Sequence, residues 1–145
     1  MAIEYRLGTL EECAQIVQCI DEFEQKESIE SLSYRLKNKQ HLIQIAVENG
    51  QLLGFKIGYE LDKGTFYSWL GGVLAMARNK GIAQKLLEHQ EAWVKKNHYL
   101  QLKVKSRNQF PNMLCLLIKN GYIIENYEKM PNVLESRIHF VKQLS

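Results

Sequence analysis

The chain has 145 residues, 46% of them apolar and 24% charged, with a formal net charge of +3. This size and composition fit one globular domain, 1–145, with a single core, and exclude a disordered or fibrous chain. No apolar run nears the roughly 20 residues that span a bilayer, and three cysteines without C-x-x-C spacing argue against a disulfide framework or a zinc site.

Met1-Ala2-Ile3-Glu4-Tyr5-Arg6 lacks the basic start and apolar stretch of a signal peptide, so the cytoplasm is the expected location. Ile3–Leu7 alternates and predicts a first strand. Thr9-Leu10-Glu11-Glu12 has the form of a capping box. The helix it opens carries Leu10, Cys13, Ala14, Ile16, Val17 and Ile20 on one side. After the acidic stretch Asp21–Glu27, Ser28 caps a second helix with Ile29, Leu32, Tyr34 and Leu36 as its apolar members.

His41–Val47 predicts a strand, and Asn49-Gly50 is a strong hairpin signal. Leu53, Phe55, Ile57, Tyr59 and Leu61 alternate along the next strand, and Asp62-Lys63-Gly64 turns into the strand Thr65–Leu74. Paired glycines at Gly71-Gly72 predict a bulge or a close backbone approach there. Next, Arg78-Asn79-Lys80-Gly81-Ile82-Ala83 opens a helix to about Lys96. Such a start presents free N–H groups and the positive end of the helix dipole, a ready site for phosphate.

The strand Leu100–Lys105 follows, and this strand–helix–strand unit predicts a parallel pair with a right-handed crossover. Pro111 starts another helix, with Met113, Leu114, Leu116, Leu117 and Ile118 apolar, and Asn120-Gly121 stops it. Tyr122–Tyr127 and Ser136–Val141 predict the last strands. The order β-α-α-β-β-β-α-β-α-β-β implies an α+β fold with helices on both faces of a twisted sheet.

Arg78-x-x-Gly81-x-Ala83 after an apolar strand resembles the (Q/R)-x-x-G-x-(G/A) pyrophosphate loop of the GNAT superfamily, the acyl-CoA-dependent N-acyltransferases. Asn120-Gly121-Tyr122 resembles the G-(F/Y) that ends the next helix there. The resemblance covers Thr65–Glu128 well, and the order of elements also matches. It implies a mixed, mostly antiparallel sheet whose splayed parallel pair forms the cofactor slot. It implies acetyl-CoA as the acyl donor, no metal, and an amine acceptor. Gly72, Val73, Leu74, Arg78, Asn79, Lys80, Gly81, Ile82 and Ala83 would hold the cofactor, with the Gly71 or Gly72 amide polarising the thioester. An Asn that bonds the pantetheine arm is matched by Asn108, although the usual register falls on Phe110.

The expected acid–base pair departs from the family pattern. Where members often carry a Glu upstream of the loop, this chain has Tyr67, a weak base that could still hold a water. Where they carry an acid Tyr near the end of the helix after the slot, it has Leu117. Glu24, in the acidic stretch that shapes the acceptor site in the superfamily, and Glu60 are other candidates for the base. Tyr122 and Cys115 neighbour the acid position, although Cys115 also reads as a small core residue. Phe23, Tyr59, Tyr67 and Trp69 line either an acceptor pocket or the core. The acidic Asp21–Glu27 stretch would suit a cationic amine.

Two rival readings stand beside the transferase. One is a non-catalytic acyl-CoA sensor, motivated by Tyr67 and Leu117. The other is a nucleic-acid module built on Lys95, Lys96, Lys103, Lys105 and Arg107. Positive potential beside a phosphate-rich cofactor accounts for these bases better. No feature fixes the oligomeric state, and a monomer or homodimer is expected.

Overall fold

The computed structural model describes residues 2–23 and 26–144. Its elements run β1 (Glu4–Leu7), α1 (Leu10–Gln18), α2 (Ile29–Leu36), β2 (His41–Glu48), β3 (Gln51–Asp62), β4 (Thr65–Val73), α3 (Ile82–Lys96), β5 (Gln101–Arg107), α4 (Pro111–Lys119), β6 (Ile123–Glu128) and β7 (Arg137–Gln143). Short 3₁₀ turns at Ala75–Ala77 and Val133–Glu135 precede α3 and β7. The strands form one seven-stranded sheet in the order β1-β2-β3-β4-β5-β7-β6, antiparallel except for the β4–β5 pair.

Local chemistry sets the element ends. Thr9 and Glu12 form a reciprocal capping box on α1, and Ser28 and Ser31 do the same on α2. Each cap answers N–H groups that the first helical turn cannot, and its loss costs about 1 kcal/mol. Asn49 and Gly50 both take positive φ, 52° and 79°, as a two-residue hairpin turn between β2 and β3 requires. Pro111 sits in the first turn of α4, where a missing N–H costs nothing.

Helices cover both faces of the sheet. Cys13, Ile16 and Val17 of α1 and Leu32 and Leu36 of α2 bury against Ile45, Phe55 and Ile57. On the other face Leu87 and Val94 of α3 and Leu117 of α4 bury against Phe66, Leu102 and Phe140. Each fully buried Leu, Ile or Phe contributes roughly 1.5–3 kcal/mol. Tyr34 does not join this core as its spacing predicts; it stays 81% exposed because α2 is held by Leu32 and Leu36 alone. Cys115 is also exposed, not a core residue.

One irregularity shapes the centre of the sheet. The β3–β4 register steps from Gly58↔Ser68 to Ile57↔Leu70, so Trp69 is an extra residue in β4. The bulge therefore lies at Trp69 and not at Gly71-Gly72, which pair in register with Lys56 and Phe55. The β4–β5 ladder ends at Ser68↔Val104, although both strands continue. A bulge bends its strand and sharpens the twist. β4 thus leaves β5 at the residue where the bulge begins, and a wedge opens between Trp69–Val73 and Lys105–Arg107.

Candidate active site

The floor of the wedge is backbone. Leu74 donates its N–H to Leu53 O at 2.8 Å, and antiparallel alternation then turns Gly72 and Leu70 toward β3 as well. Gly71 and Val73 accordingly turn their amide groups to the open side. Arg78 confirms this direction by donating Nε–H to the Val73 carbonyl at 3.1 Å. Gly72 instead presses its Cα on the α1 side, where an added Cβ would meet Ile20 Cδ1 at 2.5 Å and Phe23 Cζ at 3.4 Å. The two glycines therefore serve different needs, one an open amide and the other close packing.

The head of the wedge is the start of α3. Gly81 is its N-cap at φ 78°, without a side-chain cap, and Asn79 also takes positive φ, 65°. Among the described residues, the amides from Asn79 to Gln84 find no internal acceptor. A Cβ built on Gly81 would meet nothing within 4 Å, so space remains in front of these donors. Arg78 reaches away to Glu22, with Nη1 2.6 Å from Oε2, and the hydrogen bond it donates holds the Glu22 carboxyl below the usual range.

On the α3 side, Lys56 lies over Gly71, its Cγ 3.5 Å from the ideal Cβ position there. It is partly buried, and loss of hydration pushes its pKa down to about 8, partly offset by Glu91. Alternation along β3 marks 54, 56, 58 and 60 as the face opposite Phe55 and Ile57, yet Lys56 was absent from the sequence-based site. The bare Gly71 opposite it is the signal that points to it.

On the α1–α2 side, a cavity of about 310 Å³ opens between α2 and strands β3, β4, β5 and β7. Tyr59 and Tyr67 form one wall, their rings edge-to-face at 5.4 Å, and Trp69 packs on Tyr59 at 5.9 Å. Arg35, Lys103, Lys105 and His139 reach the same cavity. Glu125, an extra residue in β6 opposite β7, also lines it and pairs with Lys103 at 3.3 Å.

A profile described as the acetyltransferase (GNAT) family matches residues 10–110. The chain belongs to that family. The fold agrees with several solved members. It is similar to the ribosomal-protein-S18-alanine N-acetyltransferase from Escherichia coli, at 16% identity and TM-score 0.86 over 99% of this chain and 95% of that one. It is also similar to a chain of the NatC complex bound to Gag peptide and CoA, at 20% identity and TM-score 0.83 over the whole of both. A third is yncA of Salmonella typhimurium with its cofactor acetyl-CoA, at 14% identity and TM-score 0.78 over 100% and 95%. No curated protein sequence matches the chain. At these identities the structural likeness speaks for the fold alone.

Against the family pattern, the sequence-derived residues sort by place. Arg78, Asn79, Lys80, Gly81, Ile82 and Ala83 stand at the head of the wedge, Val73 and Leu74 at its edge; Ile82 is buried against Ala46, Leu53 and Leu86. Asn108 donates its side-chain N–H to Val133 O at 3.0 Å, which ties the end of β5 to the turn before β7. Tyr67 is half-buried on the cavity side, and burial raises its hydroxyl pKa, so it stays neutral at neutral pH. Leu117 is fully buried, and no proton donor stands in its place. Tyr122 donates to Glu91 at 2.7 Å, and burial first, then this carboxylate, raises its hydroxyl pKa strongly. Glu60 accepts from Tyr99 at 2.7 Å. Glu24 lies outside the described residues.

Lys103 and Lys105 alternate with the buried Leu102 and Val104, so they face the cavity of the α1–α2 side, not the loop at the start of α3. Their positive charge lines that cavity and not the unpaired amides of the α3 start. Glu22 and Glu27, expected to attract a cationic amine, are engaged by Arg78 and by the Ser31 hydroxyl.

Proposed function

We propose that this protein is an acetyl-CoA-dependent N-acetyltransferase, residues 1–145 acting as one catalytic domain, that passes acetyl directly to a primary amine of a small molecule or peptide. One observation carries the reading: the β4–β5 ladder ends at Ser68 just where the open amides of Gly71 and Val73 begin, below the unpaired amides of the α3 start. The residues present suit the donor. The α3 start offers N–H groups and dipole to a pyrophosphate, and the open edge of β4 can pair with an extended amide-bearing arm as an added strand would.

When bound, acetyl-CoA supplies an activated carbonyl; transfer forms a C–N bond, breaks the C–S bond and moves one proton from the amine to the departing thiolate. Asn79, Lys80, Gly81, Ile82 and Ala83 fix the phosphate end, and Arg78 adds charge once it leaves Glu22. Val73, Leu74 and the backbone near Gly72 align the arm, with Asn108 holding the far wall of the wedge. The Gly71 N–H polarises the carbonyl. Tyr67 orients the amine or its water, and Glu24, in the acidic connection, is the carboxylate in reserve. Because a thiol near pKa ~8.5 leaves readily, no dedicated acid is required. Orientation then supplies much of the rate. We place the reaction in the cytoplasm, in a monomer or homodimer.

A non-catalytic acyl-CoA sensor is the second reading, favoured by the neutral Tyr67 and the buried Leu117. Thiol release from acetyl-CoA across a panel of primary amines separates the two. Release that depends on the amine supports the transferase. Binding without release for any amine supports the sensor.

A further inference from the structure

The cavity on the α1–α2 side carries a charge imbalance. Three permanent cations, Arg35, Lys103 and Lys105, face it against one carboxylate, Glu125. Glu125 is already paired with Lys103. Among the described residues, neither Arg35 nor Lys105 has an acidic partner within 4.0 Å. Arg35 spends one donor on Tyr59 Oη at 3.3 Å and lies 4.8 Å over the Trp69 ring. Lys105 Nζ stands 5.8 Å over Tyr67, and Lys39 Nζ 5.0 Å over Tyr59. The aromatic wall thus holds cationic heads around the opening, with most guanidinium donors of Arg35 unused.

Resting on the transferase reading, we infer that the acceptor is a primary amine of amino-acid size that carries a carboxylate, held by Arg35 and Lys105. A planar guanidinium with free donors matches a carboxylate in bidentate geometry. A polyamine or other polycation would meet three like charges, and the one carboxylate, Glu125, is already paired with Lys103. The same field has a chemical consequence. Neighbouring cations favour the neutral form of an amine, which offsets the missing carboxylate base at Tyr67. The volume of about 310 Å³ admits one residue-sized body between the aromatic wall and the basic rim.

The test reads binding without turnover. In a Trp93→Phe background Trp69 is the single tryptophan and lies under Arg35. N-acetylglycine, N-acetyl-L-leucine and N-acetyl-L-phenylalanine, the products of such acceptors, are each titrated beside the corresponding primary amide, with CoA present. At least one carboxylate should bind about tenfold more tightly than its amide at low salt, and the preference should shrink as salt is raised. Arg35→Leu and Lys105→Met, both at exposed positions, should bring the two forms to parity. Equal binding of acid and amide in every pair, or no response to any, overturns the proposal. If CoA itself fails to bind, the transferase reading has failed; if CoA binds and the acids show no preference, only the acceptor class is wrong.

Discussion

Arg78 Nη1 lies 2.6 Å from Glu22 Oε2, which joins the loop before α3 to the connection after α1. Both side chains are close to half exposed, so the pair adds less than about 1 kcal/mol to stability. Its meaning is competitive: while Glu22 holds the guanidinium, Arg78 is not free for phosphate.

Glu22→Gln should therefore leave the urea midpoint nearly unchanged and tighten CoA binding two- to threefold, about 0.5 kcal/mol. Arg78→Met should weaken it about tenfold. Calorimetry on the two variants checks both directions. Weaker binding in Glu22→Gln would show that the ion pair builds the site and does not compete with it.

The two glycines of β4 should separate in a substitution experiment. Gly72→Ala drives a Cβ into Ile20 and Phe23, and overpacking of this kind costs roughly 1–3 kcal/mol. Gly71→Ala brings its Cβ no nearer than 3.2 Å to Phe55 O and 3.5 Å to Lys56 Cγ, a milder conflict than the 2.5 Å at Gly72, so it should cost less stability. Its added methyl stands beside the open Gly71 amide, so kcat should fall more than stability. Urea unfolding and thiol-release kinetics on both variants decide it.

Lys56 gives the protein a pH signature. The unfolded chain keeps the lysine proton to about pH 10.4, whereas the folded chain gives it up at about 8. Between these values the unfolded state binds more protons, so unfolding free energy rises with pH. The urea midpoint of the native protein should climb relative to that of Lys56→Met from pH 8 to pH 10. Parallel curves would place Lys56 in solvent.

Tyr67→Phe tests the least conventional assignment. A neutral tyrosine that only orients the amine or its water should lose about tenfold in kcat/KM, below the hundredfold or more typical of a proton-transfer group. The pH–rate profile should keep its shape. A lost acidic limb would identify Tyr67 as the base.

Much of this structure was legible in the residues. The capping boxes at Thr9 and Ser28, the Asn49-Gly50 turn, Pro111 and the alternation of Leu53, Phe55, Ile57 and Tyr59 are local signals, and each element stands where they place it. The loop Arg78–Ala83 was legible because a glycine at positive φ and a helix start are also local. The exceptions are tertiary. The bulge falls at Trp69, because the paired glycines satisfy β3 in register and the extra residue is accommodated two residues before Gly71. Arg78 finds Glu22 across 56 positions, and no pattern in either stretch announces it. Lys103 and Lys105 look like cofactor charge in sequence, yet alternation along β5 turns them to the other face, where α2 brings Arg35.

The most direct test of the central claim is calorimetric titration of acetyl-CoA, CoA and 3′,5′-ADP into the native protein and into Gly81→Glu. Space in front of Gly81 lets the longer side chain stand where the phosphates would, and urea unfolding confirms that the variant is folded. The account predicts micromolar binding of acetyl-CoA and CoA to the native protein, weaker binding of 3′,5′-ADP, and loss of all three in Gly81→Glu. No binding by the folded native protein, or binding that survives Gly81→Glu, would contradict it.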